Sequence, residues 1–479
     1  MGKFILVISS YVLCLAFFGE TPTWARPAED EVKNLPGVAG PLSSKQYSGY
    51  LKGSGTIRLH YWFVESQTDP KNDPVILWLN GGPSCSSLEG YLSELGPYWV
   101  NSYGNKTLSV NDDSWTKVAN VIFLESPAGV GFSYNENKNY TTDDDQTAEN
   151  NLLALEDFFQ KFPNMASNEF FIAGESYAGI YIPTLAVKVM KTQINFKGFA
   201  IGNGFVDAKV LSETKVEYAY YHALIGESLW KRYQTTCGSS SKPSTECAQL
   251  KREINELIEH SGINPYDITG DCNGSYSNSD LASISILDFM DPEASVGTVS
   301  KKFPGYRSPF LPCVNNIDIE EYSKKFPGYR SPFLPCVNNV DIEEYLNQPD
   351  VKTALHIPDF ITQKWTLCNP ELAAIYTNLY NTTIPLFQTL LPNYRALLYN
   401  GDADIVCNFL GDQKFVEELG QPVLGNRRAW RYRTQVAGFV KEYKQITFMT
   451  VKDSGHMVPQ VTPGPALQMI TNFLNNKPQ

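Results

Sequence analysis

Six short apolar runs constrain this chain most, because each is continuous where a half-exposed strand would alternate. They are Pro74–Asn80, Asn120–Glu125, Glu169–Ala173, Phe196–Ile201, Tyr394–Tyr399 and Ile446–Val451. A strand buried on both faces reads this way, and such strands belong to a parallel sheet covered by helices. Helical spacing separates some of the runs: Leu152, Leu155, Phe158, Phe159 and Phe162 share one face of Ala148–Phe162, and Ala466–Leu474 is amphipathic. The alternation predicts an α/β fold, a doubly wound and mostly parallel sheet. At 479 residues the chain suits two ordinary domains, or one large α/β domain with an insertion.

The pattern favours the insertion. Core-like sequence fills 26–206 and resumes at 351–479, whereas 207–350 holds a Ser/Lys/Pro-rich stretch at Gly238–Thr245, an acidic one at Asp271–Asp291, and Cys237, Cys247, Cys272, Cys313 and Cys336. This segment is expected to form a cap over the sheet, with disulfides supplementing a small core. Within it, Ser300–Tyr322 recurs as Ser323–Tyr345 with one difference, Ile317 against Val340. Two copies do not make a solenoid, and the repeat reads as a recent duplication or a gene-model error. Either way, one of Cys313 and Cys336 is surplus.

The N-terminus predicts export. Lys3 precedes an apolar run from Phe4 to Phe18, and Thr23-Trp24-Ala25 ends in a small residue, so 1–25 reads as a signal peptide. The run is too short to span a membrane, and no later segment is long enough, so no membrane span is expected. Of nine cysteines, Cys14 falls in the leader, and an exported chain should pair most of the rest. Asn105, Asn139, Asn273 and Asn381 each open a glycosylation sequon. A secretory destination follows, lysosomal or extracellular. The net charge of −12 argues against nucleic acid as a partner, although acidity also serves solubility.

Chemistry concentrates at the ends of the runs. Gly174-Glu-Ser-Tyr-Ala-Gly179 follows Glu169–Ala173 and precedes a helix-like run. A sharp strand–turn–helix bend in this place would hold the Ser176 hydroxyl above the sheet edge. A serine nucleophile needs a base, and the base needs an orienting acid. Of five histidines, only His456 lies just past a core run; His60, His222, His260 and His356 read as surface or structural. Asp402 and Asp404 both follow Tyr394–Tyr399, and spacing does not choose between them. The order Ser, Asp, His is that of the α/β-hydrolase fold.

The motifs Trp78-Leu-Asn-Gly-Gly-Pro-Ser-Cys-Ser-Ser87, Glu125-Ser-Pro-Ala-Gly-Val-Gly-Phe-Ser-Tyr134, Gly174–Gly179, Ile201-Gly-Asn-Gly204, Gly401–Asp404 with Cys407-Asn408, and Gly455-His-Met-Val-Pro459 occur in that order. Over about residues 40 to 475 the chain resembles the serine carboxypeptidase family. The resemblance implies Ser176 as nucleophile, His456 as base and Asp404 as acid. It implies an oxyanion hole from the Gly82 and Tyr177 amides, and a pocket of Asn80, Glu94 and Glu175 for the substrate's terminal carboxylate. Glu89 and Met457 would line the pocket for the leaving residue. The implied disulfides are Cys85–Cys368, Cys237–Cys247, and Cys272 with Cys336 or Cys313, leaving Cys407 as a free thiol. Ser84 stands where the family usually carries glycine.

The expected activity is therefore removal of C-terminal residues from peptides and proteins, at acidic pH and with hydrophobic leaving residues preferred. Two other readings stay open: an acyltransferase on the same scaffold, and a protective scaffold for lysosomal glycosidases. No HExxH or clustered Cys/His pattern appears, so no metal or other cofactor is expected. Oligomeric state is left open, a homodimer included.

Overall fold

The computed structural model describes residues 27–101, 107–238, 244–272 and 340–479. The expected leader, Asn105, Asn273, Cys313, Cys336 and the repeat up to Asn339 lie outside these residues.

Among the described residues the main sheet has eleven strands. They are β1 (Gln46–Lys52), β2 (Ile57–Val64), β3 (Val75–Leu79), β4 (Asn120–Leu124), β5 (Tyr134–Asn135), β6 (Phe170–Ser176), β7 (Phe196–Gly204), β8 (Arg395–Gly401), β9 (Arg428–Tyr432), β10 (Gln435–Glu442) and β11 (Ile446–Val451). The order is β1-β2-β4-β3-β6-β7-β8-β11-β10-β9, with β5 paired to β2. The six central strands, from β4 to β11, pair in parallel. Each coincides with one of the six apolar runs. The flanks pair antiparallel.

Double burial explains the unbroken runs. In β3, Leu77 and Leu79 join one core while Ile76 and Trp78 join the other. Helices α1 (Asp144–Lys161) and α2 (Ala178–Val189) close the first core; the C-terminal α7 (Pro463–Leu474) closes the second. The start of α1 is fixed by Asp143, whose carboxylate accepts the Gln146 amide at 2.8 Å. The flanking strands were not legible as buried runs. In β9, for example, only Trp430 is buried, and its neighbours face solvent.

After β7 the chain leaves the sheet as α3 (Ala208–Tyr221), α4 (Glu227–Cys237) and α5 (Thr245–His260). A disulfide between Cys237 and Cys247 ties α4 to α5. The following segment returns to the sheet edge. The Pro265 carbonyl accepts the Ile405 amide at 3.1 Å, and the Ile268 amide donates to the Ala403 carbonyl at 2.9 Å. Then α6 (Phe409–Glu418) follows β8. Because the central strands are parallel, the segments leaving the carboxyl ends of β6, β7, β8 and β11 gather along one edge, where doubly wound sheets bind ligands. No helix among the described residues is long and apolar enough to cross a membrane.

Candidate active site

Ser176 ends β6 with φ of 60°, a conformation non-glycine residues rarely adopt, and α2 starts two residues later. The bend leaves no room for side chains behind it. A Cβ on Gly174 would lie 2.1 Å from the Leu79 carbonyl oxygen. The loop after β3 passes equally close: a Cβ on Gly81 would lie 2.4 Å from the Tyr177 amide nitrogen and 2.7 Å from the Ser176 Cβ. The loop is also anchored covalently, since Cys85 is disulfide-bonded to Cys368. The backbone around Gly82 is thus held against the elbow that carries Ser176 and Tyr177.

His456 follows β11, and its ring faces Asp404. The distance from Nδ1 to Asp404 Oδ2 is 2.7 Å, with both side chains almost wholly buried. The Asp404 carboxylate also accepts from the Val406 amide at 2.8 Å, the Cys407 amide at 3.1 Å and Asn203 Nδ2 at 2.9 Å. Every partner donates, which is what an acceptor-only carboxylate requires. Asp402 does different work: its Oδ1 caps the Asp453 amide at 2.9 Å. The geometry sets Asp404 against the imidazole and Asp402 in the neighbouring turn. Tyr266 fixes the histidine from the segment between β7 and β8. Its carbonyl accepts the His456 amide at 2.7 Å, and its ring meets the imidazole edge to face at 5.0 Å.

Beside the elbow lies a cluster of three buried carboxyls around one amide. Asn80 Nδ2 donates to Glu94 Oε1 and Glu175 Oε1 at 3.0 Å each, and lies 3.4 Å from Glu89 Oε2. The amide cannot turn over, because its oxygen accepts from Trp78 Nε1 at 2.7 Å and from the Gly90 amide. A carboxyl oxygen from each of Glu89, Glu94 and Glu175 falls within 4.8 Å of the others. Burial raises all three acids. Glu94, with hydrogen bonds from Asn80 and from Glu175 pulling the other way, is pushed up to about 7. Glu89 and Glu175 are raised further by the charges of their neighbours. Three oxygens so close could in principle surround a cation. Asn80 instead turns N–H groups toward them, and burial favours the protonated form of each acid.

A profile of the serine carboxypeptidase family matches residues 36–476. The chain belongs to this family. It is 41% identical to the mouse lysosomal protective protein, over 98% of this chain and 99% of that one. The serine carboxypeptidase ctsa-4.1 of Caenorhabditis elegans is 37% identical, over 98% and 97%. Barley serine carboxypeptidase 1 is 34% identical, over 94% and 93%. The solved structure of Kex1(Δ)p, a prohormone-processing carboxypeptidase from Saccharomyces cerevisiae, superposes with a TM-score of 0.72, covering 94% of this chain and 96% of that one. At 22% identity that likeness concerns the fold, an α/β-hydrolase. The protein is a serine-type carboxypeptidase.

Several features of this carboxypeptidase were not read from the sequence. Asn203 sits in the quoted Ile201–Gly204 motif, yet nothing in the motif says that its amide would hold both Asp404 and the Gly401 amide. Tyr266 gave no signal, because its contacts cross to the loop of His456, distant in sequence. Glu89, expected in the leaving-residue pocket, lies in the Asn80 cluster. Met457 is buried beside His456. Ser84 has φ of 86°, the region that favours the glycine usual at this position, and its hydroxyl donates to the Asn369 carbonyl at 2.9 Å. Cys407 is a free buried thiol, pushed up by burial. Cys272 is disulfide-bonded, and both of its expected partners, Cys336 and Cys313, lie outside the described residues. Asn139 and Asn381 are exposed.

Proposed function

We propose that this carboxypeptidase cleaves the last peptide bond of its substrate through an acyl-enzyme on Ser176, at acidic pH. The observation that carries the reading is the His456–Asp404 contact at the sheet edge where Ser176 stands on its strained elbow. His456 Nε2 takes the serine proton as Oγ attacks the scissile carbonyl, and the amides of Gly82 and Tyr177 stabilise the oxyanion. The same imidazole returns the proton to the leaving amine. Water then attacks the acyl-enzyme by the reverse proton path and frees Ser176.

Exopeptidase action needs recognition of a free terminus. Asn80, Glu94 and Glu175 supply it: the amide and the protonated acid pair donate hydrogen bonds to the terminal carboxylate. As pH rises through about 7 the pair loses its proton, and negative charge then opposes the carboxylate. His456 must be neutral to act as base, so the two demands meet at mildly acidic pH. Met457 offers a flexible apolar wall to the leaving side chain, which favours hydrophobic residues. The disulfides and a lysosomal relative support passage through the secretory pathway to an acidic compartment.

The test is mass spectrometry of a free peptide incubated with the enzyme at pH 5. Successive loss of single residues from the C-terminus is the expected result. Internal cleavage, or transfer of the acyl group to an added alcohol in preference to water, would overturn the reading.

A further inference from the structure

Asp412 lies on α6, wholly buried behind the Asp404 loop. Its Oδ2 accepts from two strand ends at once: Asn400 Nδ2 of β8 at 3.0 Å and the Gly204 amide of β7 at 3.1 Å. Both ends carry active-site groups. Asn203 precedes Gly204 and holds Asp404, while Asp404 itself follows Asn400 by one turn of chain.

The other atoms of this pair are incompletely served. Asp412 Oδ1 and Asn400 Oδ1 are both buried without a hydrogen-bond partner. Both would be acceptors if the acid were ionised, and two acceptors cannot satisfy each other. Asn400 Nδ2 already spends its second hydrogen on the Cys407 carbonyl at 3.1 Å. One proton on Asp412 supplies a donor that the ionised carboxylate lacks.

We propose that Asp412 is a neutral carboxylic acid and a positioning residue, locking β7 to β8 so that Asn203 and Asp404 stand correctly behind His456. The proposal rests on the triad reading above.

The surroundings agree. Burial pushes the Asp412 carboxyl up to about 8, hydrogen bonds from Asn400 and Gly204 pull it down, and the charge of Asp404 adds to the rise. Cys407, in the same loop, is itself raised by burial and by Asp404 and Asp412. From α3, Lys215 acts on Cys407, and Glu217 pairs with Lys414 of α6 at the surface. An ionised Asp412 would place a second negative charge beside Asp404, which would favour protonated His456 and remove the free base.

The experiment compares Asp412→Asn and Asp412→Ala with the wild type, using the full chain. Tm is followed from pH 4 to pH 8, and kcat and KM are measured on a C-terminally amidated peptide to remove the Glu94–Glu175 contribution. In the unfolded chain an aspartate ionises near pH 4, while the folded one keeps its proton to about pH 8. Wild-type stability should therefore decline across this window relative to Asp412→Asn, whose Tm advantage grows with pH. The Asn variant, a neutral isostere, should keep kcat within about threefold and leave the acid limb of kcat/KM unmoved, while Ala lowers kcat on the order of tenfold or more with KM within about twofold. A Tm difference that does not change with pH would overturn the proposal. So would an acid limb displaced downward in Asp412→Asn, or a loss of kcat there as large as in Asp412→Ala. If the Ala variant does not fold, the Asn variant alone decides. The thermal readout is independent of the triad, whose own failure would appear as activity surviving Ser176→Ala.

Discussion

Asn80 Nδ2 and Glu175 Oε1 lie 3.0 Å apart although 95 residues separate them. The contact joins the loop after β3 to the nucleophile elbow, and with Glu94 it sets a pair of buried acids beside that elbow. Burial pushes Glu94 up to about 7, so under the proposed function the pair should gain charge as pH rises through that value. For peptides with a free C-terminus, KM should therefore rise steadily from pH 6 to pH 8. Amidated peptides of the same acyl sequence should show no such rise. The measurement is a pair of pH–KM profiles. The pocket assignment fails if they coincide, or if Glu94→Gln with Glu175→Gln leaves the free-peptide profile unchanged.

Two aspartates two residues apart make opposite predictions. Asp404→Asn reverses the hydrogen bond that orients His456 and should lower kcat on the order of a thousandfold or more. Asp402→Asn touches only the Asp453 turn and should cost less than about tenfold. Asn203→Ala falls between, because it removes one hydrogen bond to a buried carboxylate, worth about tenfold to a hundredfold in kcat. Steady-state kinetics on one peptide at pH 5 ranks all three.

Ser84 carries strain and a hydrogen bond together. Glycine would relieve the positive φ, worth about 1 to 2 kcal/mol, while losing the bond to Asn369 and adding freedom to the unfolded chain, which together cost a similar amount. Alanine keeps the strain and loses the bond. Thermal unfolding should find Ser84→Gly close to the wild type and Ser84→Ala less stable by about 1 kcal/mol. Equal Tm values for the Gly and Ala variants would show that the backbone angle carries no cost.

Under the proposed function, terminal-residue preference is set by the apolar wall at Met457. At pH 5, peptides ending in Leu or Phe should turn over fastest, those ending in Lys or Arg more slowly, and those ending in Glu slowest. Faster release of Glu than of Leu would contradict this account of the pocket.

Much of this was legible in the sequence because the central sheet is buried on both sides. Continuous runs such as Pro74–Asn80 marked its strands, and Ser176, Asp404 and His456 stand just at or past the ends of three of them. What depends on contacts between distant segments was not legible. Asp402 and Asp404 are equivalent by spacing and differ only in which one meets the imidazole. Tyr266 reaches His456 from the segment between β7 and β8, whose sequence carries no sign of it. Flanking strands such as Arg428–Tyr432 bury one face, and their mixed composition hid them.

The central claim is that one serine, driven by His456 and Asp404, performs the chemistry. Covalent labelling tests it most directly. An organophosphonate at pH 5 to 6 should add once per chain, on the peptide that contains Ser176, with activity lost in proportion, because Ser176 is partly exposed at the elbow while Ser48, which meets His60 Nε2 at 2.9 Å, is wholly buried. His456→Ala should slow the labelling by orders of magnitude. An adduct on a different serine, with Ser176 unmodified and activity gone, would contradict the account.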